Sequence, residues 1–117
     1  MAEIENNVSL AGVVSRVDFS YTPTGIPHLK LQLEMPFEDG TFQRTRKMTV
    51  EAWRDVAEQS AGVAEGSNVR AYGYLDTRNY QAKVYVDHQV VKDAQGKDVM
   101  AWRNESSLTA DLIEVLS

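Results

Sequence analysis

The sequence predicts an all-β fold: a small closed barrel of five strands with one short helix between the third and fourth. Three observations predict it. Apolar and polar residues alternate in several separate segments, which is the period of a half-buried strand. Clusters of Gly, Pro, Asn, Asp and Thr punctuate those segments. One internal stretch, between the third and fourth segments, reads as a helix.

The first strand reads Val8-Ser-Leu10-Ala-Gly12-Val-Val14, with Val8, Leu10, Gly12 and Val14 on one face. Thr22-Pro-Thr-Gly25-Ile-Pro27 is a turn-rich loop before the second strand. That strand, Leu29 to Met35, is apolar on one face and shows Lys30, Gln32 and Glu34 on the other. Pro36 to Gly40 reads as a loop. The third strand, Lys47 to Trp53, turns Met48, Val50 and Ala52 inward. Trp53 to Ala61 follows as the helix, with few apolar positions (Trp53, Val56, Ala57, Ala61), suited to plugging one end of a barrel. Glu65-Gly66-Ser67 resets the chain before the fourth strand, whose inner face is Val69, Ala71, Gly73 and Leu75. A glycine alone inside a strand marks close packing or a bend. Ala94-Gln-Gly96 is a hairpin tip between Val84–Val91 and Val99–Trp102. Leu108 to Leu116 fits two patterns, a helical stripe or an alternating strand. Strand–strand–strand–helix–strand–strand is the order of an OB-fold. An SH3-like barrel is the alternative, and the helix favours OB.

The 117 residues suit a single domain, 1–117, with residues 1–6 expected to be flexible. The composition is that of a soluble globular chain, with 43% hydrophobic and 25% charged residues. Cysteine is absent, which excludes disulfides, thiolate metal sites and a cysteine nucleophile. No segment has the makings of a signal peptide or a membrane span. His28 and His88 are the only histidines and have no ligand spacing, so both read as surface or strand residues. No nucleophile elbow or phosphate-cradling loop occurs. Asp87, Asp93 and Asp98 read as solvated loop acids. The expectation is no catalysis, no metal and no cofactor.

The net charge of −5 looks wrong for a nucleic-acid partner, but its distribution is uneven. From Phe42 to Tyr85 the basic residues Arg44, Arg46, Lys47, Arg54, Arg70, Arg78 and Lys83 outnumber the acids. Most aromatics lie there too. Strand alternation turns Gln43, Thr45, Lys47, Thr49 and Trp53 outward on the third strand, and Arg70, Tyr72 and Tyr74 on the fourth. Thr77-Arg78-Asn79-Tyr80 follows, with Lys83 and Tyr85 beyond. Large aromatics on an outer face mark contacts. Unpaired bases stack on such rings, and interleaved cations neutralise phosphates. A homo-oligomer interface would use the same residue types, and both readings stand at this point.

The motifs then resemble a known family. Asn7-Val-Ser-Leu-Ala-Gly12, Tyr21-Thr-Pro-Thr-Gly-Ile-Pro27, Val50-Glu-Ala-Trp-Arg-Asp-Val-Ala-Glu58 and, most specifically, Gly66-Ser-Asn-Val-Arg-Ala-Tyr-Gly-Tyr-Leu-Asp-Thr-Arg-Asn-Tyr80 resemble bacterial single-stranded DNA-binding proteins (SSB). The likeness covers roughly Asn7 to Tyr80. It implies an OB-fold that binds single-stranded DNA without strong sequence preference, in replication, repair or replication restart, as a homodimer or homotetramer. It places Trp53 and Tyr80 at base-stacking positions, with Lys47, Arg78 and Arg70 as phosphate partners. Phe42, Tyr72, Tyr74, Lys83, Arg46 and Arg44 follow as weaker candidates, and Phe37 is an alternative to Phe42. Lys47 departs from the tryptophan many members carry there.

Thr24-Gly-Ile-Pro-His28 and Leu108-Thr-Ala-Asp-Leu-Ile-Glu114 are similar to the primosomal replication protein PriB family. That likeness implies that Leu108 onward is a strand and that Tyr80 to Trp102 is an extended hairpin between the fourth and fifth strands. Lys83, Tyr85, Trp102 and Arg103 then become secondary DNA candidates. SSB proteins usually carry a long acidic tail, and this sequence ends at Ser117 without one. The expectation is a PriB-like accessory or a compact SSB paralogue of bacterial, phage or plasmid origin, cytoplasmic and nucleoid-associated. Replication or repair proteins are possible partners. Two rival readings remain: an adaptor whose aromatic face mainly binds protein, and an enzyme with a nucleotide-like substrate, for which the absent motifs predict no turnover.

Overall fold

The computed structural model describes residues 5–117, so the expectation for residues 1–6 falls mostly outside the described residues. Eight elements follow in order: β1 (Val8–Tyr21), β2 (Pro27–Asp39), β3 (Phe42–Trp53), α1 (Arg54–Gln59), β4 (Asn68–Lys83), β5 (Tyr85–Val86), β6 (Gln89–Val90) and β7 (Met100–Val115). Five of them close a barrel in the order β1-β2-β3-β7-β4. The closing contact is the short parallel pairing of Thr49, Val50 and Glu51 with Ser107, Leu108 and Thr109. This is the OB-like barrel that the alternation predicts.

Hydrophobic burial holds the barrel together. Val14, Leu29, Leu31, Leu33, Val50, Ala52, Val69, Ala71 and Leu108 fill its interior and are almost wholly removed from water. Ala57 of α1 is buried against them, and Val56 packs at the edge. The helix is shorter than the sequence suggests. Trp53 is extended, the last residue of β3, and Arg54 takes a positive φ of 56° that turns the chain straight into α1.

Two bulges explain what alternation alone misreads. In β1 the register with β2 shifts between Val14 and Arg16, so the inner face passes from Val14 to Val17 and Phe19. The strand therefore runs on to Tyr21 although the parity of its apolar residues breaks. In β7 the register with β4 skips Asp111, so the inner face passes from Leu108 and Ala110 to Ile113. The helical stripe does not form: Leu112, Val115 and Leu116 are exposed, and the segment is strand as far as Val115. Gly73 sits opposite the β7 bulge. A Cβ there would collide with the Thr109 carbonyl oxygen and lie 2.8 Å from its carbonyl carbon, so only glycine lets the strands approach.

Two expectations need correction. Pro36 to Gly40 is not a loop: β2 runs through it, and the turn is confined to Gly40 and Thr41. Pairing of β2 with β1 ends at Glu34, so Pro36 lies where β2 has a free edge and its missing N–H costs little. Leu75 is not in the core. Pairing of β1 with β4 ends at Gly73, and Leu75 beyond it is 41% exposed, with Asn6 bonding its backbone N–H and C=O.

Two hairpin arms extend from the barrel. The first is the distal half of β2–β3, from Met35 to Arg46; the second is the distal half of β4–β7, whose ladder runs to Lys83 and Met100. The arms leave the same end, because the distal residues of β3 and of β7 both precede their parallel contact. The tip of the second arm folds on itself. A hairpin of β5 and β6 turns at Asp87 and His88, both at positive φ, and a second turn at Asp93–Lys97 holds the expected Gly96.

Candidate nucleic-acid interface

Strand registers place outward side chains in rows across the barrel. One row runs Arg16, Gln32, Thr49, Ser107, Asp76; the next runs Asp18, Lys30, Glu51, Thr109, Tyr74. The pairs Glu34–Lys47 and Glu105–Arg78 lie towards the arms, and Tyr80 opposes Arg103 further out. Two shallow grooves mark this face. One is lined by Trp53, Tyr74, Asp76, Arg78, Glu105 and their neighbours, the other by Arg16, Asp18, Lys30, Gln32 and Thr49.

Trp53 stands at the end of β3, 39% exposed, and its indole is stacked on the His28 imidazole at 3.9 Å and 24°. His28 is its cross-strand partner on β2. The His28 Nε2 lies 3.4 Å from Glu51 Oε1, out of line for a hydrogen bond, and has no other partner. Further out, the Arg78 guanidinium lies over the Tyr80 ring at 5.5 Å and donates to Glu105 Oε2 at 2.9 Å.

Most cations of the predicted site carry a carboxylate neighbour. Lys47 Nζ is 3.7 Å from Glu34, Arg44 Nε is 3.1 Å from Asp39, and Lys83 Nζ is 3.3 Å from Asp98. Asp98 also takes Lys92 Nζ at 2.7 Å. Hydrogen bonds from Lys92 first and Lys83 second hold the Asp98 carboxyl below its ordinary range. Exposed pairs of this kind are weak, so an anion can displace the acid at small cost. Arg16 and Lys30 make no ion pair among the described residues.

The predicted residues therefore fall into separate groups. Trp53, Tyr74 and Arg78 line one groove, and Lys47 and Tyr80 continue the same outward face. Arg44, Arg46 and Phe42 have the opposite parity on β3 and project from the other side of the first arm, where Arg46 covers the Phe37 ring at 3.9 Å. Lys83 and Trp102 likewise have the opposite parity on the second arm. Arg70 and Tyr72 point outward at the far end of β4, where Tyr72 lines a groove with Val8, Ser9 and Asp111.

The outward face also carries Arg16 and Lys30, and His28 lies beside Trp53, none of them among the residues the sequence singles out for binding. The signal for His28 was its register opposite Trp53. The signal for Arg16 was hidden by the bulge that resets the parity of β1.

A family described as "another single-strand binding protein family" matches residues 6–89. The chain belongs to the single-strand binding protein family. The match covers β1 to β4 whole and so takes in Trp53, Tyr74, Arg78 and Tyr80, while β7 lies beyond it. Membership supports the binding of single-stranded DNA in general. Comparison with curated proteins returns no match. No helix among the described residues is long and apolar enough to cross a membrane.

Proposed function

We propose that this protein holds single-stranded DNA, without strong sequence preference, on the outward face that runs from Arg16 across the barrel to the second arm. One observation carries the reading: Trp53, Tyr74 and Arg78 share a groove on that face. Trp53 and Tyr80 stack bases, and Tyr74 adds a ring between them. Lys47 and Arg78 pair with phosphates, joined by Arg16 and Lys30. Base faces are exposed only in single strands, and stacking tolerates any base, contributing about 1–3 kcal/mol each. Phosphate pairing supplies the salt-dependent remainder. From Asp76 to Lys83 the second arm adds roughly 25 Å of reach at strand rise. Phe42, Arg44, Arg46 and Lys83 act on the other side of the arms as a second, weaker track. Arg70 and Tyr72 lie apart and serve the strand only if it wraps around the barrel.

In a cell, such a protein protects exposed strands in replication, repair or replication restart, as a homodimer or homotetramer. A second reading, an adaptor whose aromatic surface binds protein, is favoured by the carboxylates beside most of these cations and by Trp102 at 70% exposure. Tryptophan fluorescence during titration with a dT oligomer separates the two, with duplex DNA as control. Quenching that is strong for dT, weak for duplex and relieved by salt supports the first. Absence of binding even at low salt leaves the adaptor.

A further inference from the structure

We infer that His28 is a positioning residue for Trp53, and that the indole therefore takes one base only, on the face turned away from the imidazole. The inference rests on the reading of Trp53 as a stacking platform. His28 and Trp53 are cross-strand partners on β2 and β3, so their side chains leave the sheet side by side. Their rings overlap face to face at 3.9 Å and 24°, which covers one side of the indole. The remaining exposed surface of Trp53 borders the groove it shares with Tyr74 and Arg78.

The imidazole contributes through its ring. Its Nε2 is buried without a hydrogen bond, and the nearest acid, Glu51, lies 3.4 Å away out of line. A side chain held for its polarity would have that nitrogen satisfied. What the ring supplies is a flat, close neighbour that fixes the plane of the indole before DNA arrives. Fixing a rotamer in advance removes an ordering cost from binding. It also limits the geometry. A lone tryptophan on an open sheet can be sandwiched between two bases, whereas one already stacked on His28 ends the stack.

The test uses the full chain with Trp102→Phe, so that Trp53 is the sole indole. Affinity for a dT oligomer is measured beside the anisotropy decay of Trp53 fluorescence. His28→Leu keeps bulk and loses the ring; His28→Gln is a second such variant should the first fold poorly. Either is expected to loosen the indole and weaken dT binding about three- to tenfold. His28→Phe is expected to restore both readouts, since it restores the ring without the nitrogens. On a Trp53→Ala background, His28→Leu should change affinity no further. The inference is overturned if folded His28→Leu leaves the decay and the affinity unchanged, or if His28→Phe fails to restore them. Should Trp53→Ala itself leave dT binding intact, the stacking role of Trp53 fails instead. The decay would then still report whether His28 holds the ring.

Discussion

The closed barrel and the two arms are made of the same strands but obey different physics. In the barrel, each strand has a buried side, and Leu29, Leu31, Leu33, Val50 and Leu108 are withdrawn from water. In the arms, the same strands continue as two-stranded ribbons with Phe42, Tyr80, Met100 and Trp102 exposed. Two-stranded hairpins contribute little stability of their own. Stability therefore belongs to the barrel, and the arms are free to be chosen for contact.

That division makes its largest prediction in stability. Leu31→Ala removes a fully buried side chain and should cost about 2–5 kcal/mol. Phe42→Ala, at the tip of the first arm, should fall within about 0.5 kcal/mol of the parent. Urea unfolding of both measures the gap, and comparable losses would mean that the arms belong to the cooperative core.

Binding should show the reverse order. Trp53→Ala and Tyr80→Ala should each lose about 1–3 kcal/mol of dT affinity while melting near the parent temperature. Phe42→Ala should lose less, because it projects from the opposite side of its arm. An equal loss at Phe42 would mean that the strand passes between the arms instead of along the outward face.

How far the sequence reveals this division depends on parity. Where alternation is unbroken, as from Leu29 to Met35, strand and inner face are both legible. Where a bulge resets parity, as at Ser15 and Asp111, the strand end is lost and outward residues such as Arg16 go unseen. Alternation also separates Lys47 from Arg46, and the structure sends them to opposite sides of the first arm. What it does not carry is which partner lies across the sheet. For that reason Trp53 is legible as an outward aromatic, whereas His28 beside it reads as an ordinary strand residue.

Lys47→Gln and Arg78→Gln, on the outward face, should each lower the slope of log affinity against log salt by about 0.7 for a single strand. Arg44→Gln, on the other side, should lower it less. Equal slopes for all three would give the two sides equal shares of the phosphates.

The smallest effect is expected at the tip of the second arm, where Asp98 holds Lys83 and Lys92. Asp98→Asn releases both lysines and should raise dT affinity by less than about threefold, since exposed ion pairs are weak. The acid dependence follows from the sign of its shift. The Asp98 carboxyl titrates below its ordinary 3.8, because the charged form is hydrogen-bonded in the folded chain. Its contribution to tip order is thus fully present above that ordinary value and is lost only as pH falls through the lowered one. Amide exchange of Lys92 to Asp98, corrected for intrinsic rates, should show constant protection from pH 7 to about 5 and a decline only in stronger acid. Loss of protection between pH 7 and 5 would show that a group other than Asp98 orders the tip.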